Sequence, residues 1–206
     1  LGLVGSEMCI RDSYKPHDME AYKAFVKALV ERYDGDGIND MPNLQYPIKY
    51  WEVLNEPETG MYFDENFFRG TGQDYVEILK ATYEAIREAD PEAKVLIAAP
   101  VHPDALNDPF WSEVLPYVKD YFNYGNVHFN VKGKGDLSLG FRKYKKALLS
   151  YGIDKKMWGT EVLPAPEYLP VEEQAELWVK GSVKAFAEGA AAIKYPYVFQ
   201  SYPSSI

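Results

Sequence analysis

Five short apolar runs begin near residues 48, 95, 126, 156 and 191, and each is separated from the next by a stretch with helical periodicity. The first run, IKYWEVL (48–54), is followed by a helical stretch at 73–89, in which Tyr75, Leu79, Thr82, Ile86 and Ala89 fall on one stripe. VLIAA (95–99) is followed by a short helix over 110–118, and NVHFNV (126–131) by a helix over 141–152 that Gly152 closes. KMWGTEV (156–162) leads to a helix over 171–189 ending in Gly189, and AAIKYPYVF (191–199) is the last strand. A further helix precedes them all, with Tyr22, Phe25, Val26, Leu29, Val30 and Tyr33 spaced three or four apart and Asp18 set to cap it. Strands that recur at one βα unit per step predict a parallel sheet covered by helices. Five such units fit an open doubly wound sheet. They fit equally the last five units of an eight-stranded (β/α) barrel.

The 206 residues, 47% hydrophobic, supply enough apolar material for one sizeable core, and no linker or low-complexity tract divides them. A formal net charge of −9 without any Lys/Arg run argues against nucleic acid as a partner, and it disfavours a polyanionic substrate. No apolar run approaches a membrane span. KGKGD (132–136) lacks the strand, glycine-rich loop and helix context of a phosphate cradle. Seventeen tyrosines and four tryptophans suit a core, and they suit sugar binding, because each joins a broad apolar face to a polar handle.

Two strands end alike. The first runs into Leu54-Asn55-Glu56-Pro57-Glu58, where Pro57 removes a backbone donor and discourages helix at Glu56. The fourth ends in Trp158-Gly159-Thr160-Glu161-Val162. In a (β/α) barrel the active site lies at the C-terminal ends of the strands, so Glu56 and Glu161 would project into one mouth. Two carboxyl groups on a shared pocket are the equipment of glycosidic bond cleavage, one protonated to donate and one ionised to attack or to activate water.

The segment from Trp51 to Pro57 resembles the Asn-Glu-Pro signature after the fourth strand of the large clan of retaining (β/α)8 glycoside hydrolases. Trp158-Gly159-Thr160-Glu161 is similar to the Thr-Glu segment that ends their seventh strand. The resemblance covers residues 14 to 206 and implies an incomplete TIM barrel, holding about strands 4 to 8 without the first strands. It implies hydrolysis of a β-linked oligo- or polysaccharide by double displacement, with Glu56 as acid/base and Glu161 as nucleophile. Asn55 would hydrogen-bond the 2-hydroxyl of the sugar, and His128 matches a sixth-strand position near the site. Tyr62 and Phe63, in the aromatic loop just past Glu56, are candidates for a wall on which a sugar stacks; packing of that loop on its own helix is the other reading. Trp51 and Trp158 are out of strand phase with the glutamates and are expected in the core or the barrel wall. The alternative to an enzyme is a non-catalytic sugar-binding barrel, or a fragment that is inactive alone.

No cofactor is implied. The three histidines, His17, His102 and His128, have no metal-ligand spacing, which argues against catalytic zinc. DGDGIND (34–40) starts like a calcium loop at Asp34 and Asp36 but fails at Ile38, Asn39 and Gln45, so a polar turn is expected there. Residues 1–13, LGLVGSEMCIRDS, have neither helical period nor signal-peptide layout and resemble the translated adapter tails that open many metagenomic gene fragments. They hold the single cysteine, Cys9, so thiol chemistry and disulfides are not expected of the rest. On that reading the natural start lies upstream and localisation has no sequence signature, with secretion no more than a leaning that the family resemblance implies. Sugar identity, endo or exo action and oligomeric state have no sequence signature here.

Overall fold

Asp18 cannot continue a helix backward while its side chain accepts from the amide of Ala21, and so the first helix, α1 (Met19–Glu31), begins there. In the computed structural model, residues 14–61, 68–130, 138–163 and 169–195 are described. The order that follows α1 is β1 (Tyr50–Val53), α2 (Gly72–Ala89), β2 (Lys94–Ile97), α3 (Pro109–Val118), β3 (Gly125–Asn130), α4 (Phe141–Ser150), β4 (Met157–Leu163), α5 (Val171–Ala187) and β5 (Ala190–Ile193). This is the alternation expected from the periodicities. Short 3-10 turns at Pro57–Met61 and Pro103–Asn107 were not anticipated. The last strand is shorter than expected, and residues 196–199 of that expectation lie outside the described residues. Among the described residues, no helix is long and apolar enough to cross a membrane.

The described residues fall into two compact units. The first takes in those up to Ala98 together with Asn107–Tyr124, and the second takes in Ala99–Leu106 and those from Gly125 onward. In the first unit β1 and β2 pair in parallel with Tyr50 opposite Lys94 and Val53 opposite Ile97. Helix α2 carries the connection between them. Its N-cap Thr71 exchanges hydrogen bonds with Asp74, a capping box that holds two of the otherwise orphaned amides. Of the α2 stripe named from the sequence, Tyr75, Leu79, Thr82 and Ile86 are buried and Ala89 is half-buried. Trp111 of α3 packs edge-on against both Tyr75 and Phe110. Helix α1 lies along α2 in parallel, since Lys15 reaches Glu77, Tyr22 reaches Thr82 and Lys23 reaches Glu84 at near-constant offset.

One ion pair ties β1's entry to the end of α2. Lys49 Nζ lies 2.7 Å from Asp90, the C-cap of α2, whose side chain is only 6% exposed. Burial alone raises the Asp90 carboxyl. The Lys49 ammonium and the amides of Glu92 and Ala93 more than reverse this, so the group titrates below the usual carboxylate value of 3.8. A depressed carboxyl stabilises the fold above its unfolded pKa, and that contribution disappears as pH falls through the folded one. Asp90→Asn is therefore expected to cost about 1–3 kcal/mol near neutrality. Urea titrations should show the gap from wild type closing as pH is lowered to about 2. An equal gap at both pH values would contradict this assignment.

In the second unit β3, β4 and β5 form a parallel sheet in that order. Helix α4 ends as Gly152 adopts φ 71° and its amide bonds Leu149, and Gly189 plays the same part after α5 with φ 105°. The fully buried Tyr144 of α4 takes the amide of Asn126 on its hydroxyl, at 3.1 Å, and so pins the helix to the start of β3.

Candidate active site

At the end of β1 the chain does what its sequence makes hard. Leu54 (φ 65°) and Glu56 (φ 42°) both occupy the left-handed region and bracket Asn55. Non-glycine residues are held there at a cost of roughly 1–3 kcal/mol each, and only when the surroundings over-determine them. Here the surroundings are visible. The Thr59 amide and hydroxyl both donate to the Glu56 carbonyl, at 3.1 and 2.6 Å, which closes the turn over Pro57. Pro57, Glu58 and Thr59 are buried beneath it. Gly60 lies so close to the Phe68 carbonyl that a Cβ would sit 1.6 Å from its oxygen. Behind them, the Tyr75 hydroxyl donates to the Val53 carbonyl (3.1 Å) and accepts from the Ala98 amide (2.8 Å), which fixes the residue after which the strand breaks. The result is a rigid exit that leaves Asn55 exposed and Glu56 half-exposed.

The end of β4 reaches a similar outcome by another device. Burial alternates along the strand through Met157, Gly159 and then Val162, skipping a step. Asn126 pairs with Trp158 but His128 pairs with Glu161, so β4 carries one extra residue. The other side of β4 agrees, because the Lys194 amide bonds Gly159 while its carbonyl takes the Val162 amide. In a regular parallel ladder those two positions would be two apart, and here they are three apart. This is a β-bulge at Thr160 and Glu161, a feature that re-aims side chains at sheet ends. Gly159 is the residue that admits it, since a Cβ there would meet Val162 at 2.6 Å and Phe141 at 3.0 Å.

The bulge brings Thr160 and Glu161 together around His128. His128 Nε2 lies 3.0 Å from Thr160 Oγ1 and 4.0 Å from Glu161 Oε1. Thr160 Oγ1 is also 3.0 Å from Asn126 Oδ1, which receives the Thr160 amide as well. An oxygen that accepts an amide proton can only accept from the hydroxyl too, so the single Thr160 hydroxyl proton points to Asn126. Thr160 must then accept from His128, and Nε2 carries a proton. His128 is buried while the Glu161 carboxylate is half-exposed. The imidazole is thus a fixed donor beside a solvent-facing acid. Thr160→Val removes its acceptor, and the ring nitrogen spectrum should show a changed Nε2–H resonance in the variant. An unchanged resonance would refute the network.

Of the residues expected at a site, Asn55 and Glu56 adjoin each other at the β1 exit of the first unit, and His128 and Glu161 meet in the second. Tyr62 and Phe63 lie outside the described residues. Trp51 and Trp158 are half-buried. Sequence reasoning missed Asn126 and Thr160. Asn126 and His128 are two apart on one strand face, which was a usable signal. Thr160 had none, because its part depends on the bulge. Asp34, Asp36 and Asp40 do converge, but their oxygens accept the amides of Gly35, Asp36, Gly37 and Ile38, which makes the segment a side-chain-capped turn.

Solved structures share this architecture. A glucosidase from Croceicoccus marinus superposes with a TM-score of 0.71 over 89% of this chain at 17% identity. A family 86 glycoside hydrolase in complex with neoagarooctaose does so at 0.62 over 98%, with 14% identity. The endo-1,4-β-D-mannanase of Thermotoga petrophila gives 0.56 over 93%, with 16% identity. These likenesses show the fold of part of a (β/α) barrel. The chain spans 39%, 35% and 56% of those three structures, as a part of such a barrel would. No protein-family model and no curated protein sequence matches it.

Proposed function

We propose that the chain forms part of a retaining glycoside hydrolase acting on a β-linked glycan, with Glu161 as nucleophile and Glu56 as general acid/base. The observation that carries this reading is the bulge in β4. It spends a regular ladder position to turn one carboxylate out beside a buried, proton-bearing histidine, in a fold whose solved examples include a glucosidase and a mannanase.

In the first step a Glu161 oxygen attacks the anomeric carbon, forming an ester bond as the glycosidic C–O bond breaks. The protonated Glu56 gives its proton to the departing oxygen. In the second, the Glu56 carboxylate takes a proton from water, the water oxygen attacks the anomeric carbon, and the bond to Glu161 breaks. Each inverts the centre, so the two together retain it. Asn55, held by the strained β1 exit, is the donor for the sugar 2-hydroxyl. His128 keeps its Nε2 proton on Thr160 and so does not compete for the Glu161 charge by transferring a proton to it. Substrate is expected to be an oligo- or polysaccharide, with no cofactor in either step.

The test is the anomer released first, followed by proton NMR on a β-glycoside with the full-length gene product. The β-anomer should appear before mutarotation. Initial release of the α-anomer would replace double displacement by direct attack of water.

A further inference from the structure

A cavity of about 1070 Å³ in the first unit lies between the segment that enters α1 and the residues that enter α2, and Glu56 is not among its described lining residues. Its walls include Tyr14, Lys15, His17, Arg69 and Asp74. A helix that connects two parallel strands starts where the first strand ends, so the cavity opens at the same end of this unit as Glu56. Its size is that of a site for a small ligand or a sugar unit or two.

The groups in it are unequally paired. Lys15 is consumed by Asp74 and Glu77, at 3.0 and 2.7 Å, and Asp74 also takes the Thr71 amide and hydroxyl. Arg69 and His17 have no carboxylate partner among the described residues, and both are exposed to the cavity. A guanidinium with no direct carboxylate partner among the described residues is conspicuous in a chain of net charge −9. Tyr14, 53% exposed, adds an aromatic face to the same wall. An aromatic face serves a sugar ring, and a planar guanidinium fork serves a carboxylate or sulfate oxygen pair.

We infer that this cavity binds a glycan unit bearing a single anionic substituent, with Arg69 on the anion, His17 as a second donor and Tyr14 against the ring. The inference rests on the glycoside hydrolase reading, which it deepens by naming an acid-decorated glycan as the substrate class. One unpaired guanidinium suits a sparse substituent, whereas the acidic remainder of the chain repels a polyanion.

The experiment is an NMR-detected titration of the full-length gene product with glucuronate, glucose 6-sulfate and glucose. At least one anionic sugar should bind about tenfold or more tightly than glucose, and the preference should shrink as salt is raised. Tighter glucuronate binding identifies a carboxylate, and tighter glucose 6-sulfate binding a sulfate ester. Arg69→Ala should erase the preference and Arg69→Lys should keep part of it, with thermal unfolding unchanged in both. Equal affinities for the three sugars, or a preference that survives Arg69→Ala, would overturn the inference. The catalytic reading is separated by Glu161→Gln, which should retain the preference while losing hydrolysis. Hydrolysis of neutral glycans without any anion preference would remove this inference alone.

Discussion

Replacing Glu161 by Gln is expected to lower the turnover of β-glycosides by about 10⁴-fold or more, because the variant keeps the shape of the side chain and removes the charge that the proposed double displacement uses to attack. The carboxylate is half-exposed, so stability should change by no more than about 0.5 kcal/mol. That separation is what makes the substitution informative: a silent variant that unfolds like wild type has lost chemistry alone. Glu56→Gln should behave differently. Its loss is expected at about 10²–10⁴-fold on glycosides whose leaving alcohol needs a proton. On a dinitrophenyl glycoside, whose phenolate departs unaided, bond cleavage should be far less affected. If both substrates lost rate equally, Glu56 would not be the proton donor.

Tyr75→Phe should be the most damaging single-atom change in the first unit, lowering unfolding free energy by about 2–5 kcal/mol. The hydroxyl is buried, and it serves the Val53 carbonyl and the Ala98 amide at once. Phenylalanine fills the same space, so packing is kept while two buried backbone groups lose their partner. The effect should extend beyond stability. Val53 is the last residue before the strained Leu54-Asn55-Glu56 exit, and freeing its carbonyl loosens the anchor of that exit. Urea unfolding measures the first consequence, and a fall in kcat with little change in KM would register the second. A loss below about 0.5 kcal/mol would mean that water or a rearranged amide replaces the hydroxyl. The corresponding change in the second unit, Tyr144→Phe, frees the Asn126 amide and should be destabilising for the same reason.

The order of elements was legible because each carries its own local signal. Asp18 and Thr71 stand where an N-cap belongs, Gly152 and Gly189 where a helix must turn left-handed, and the apolar spacing changes period between them. Parallel pairing followed from connections long enough to hold a helix. The strand-end carboxylates were legible for the same reason, since Asn-Glu-Pro cannot extend a strand or start a helix at Glu56.

What stayed hidden depends on partners distant along the chain. Nothing in TEVL announces that β4 gains a residue at Thr160, because a bulge exists only relative to the strands on either side. The proton on His128 Nε2 follows from Asn126 through Thr160, a three-residue relation that no spacing rule contains. The DGDGIND segment is the polar turn expected of it, though its hydrogen bonds were not legible. Its aspartates look like ion ligands in sequence, and their oxygens are occupied by the turn's own amides. The left-handed backbone at Leu54 and Glu56 was equally silent, as neither residue type favours it.

The most direct test of the account is turnover by the full-length gene product, wild type beside Glu161→Gln, on aryl β-glycosides and soluble β-glucans, mannans and xylans. Hydrolysis of at least one of these by the wild type, and its loss in an equally stable variant, is the result expected of Glu161 as nucleophile. A folded wild type that binds these glycans and cleaves none of them would contradict it and leave a sugar-binding protein in its place.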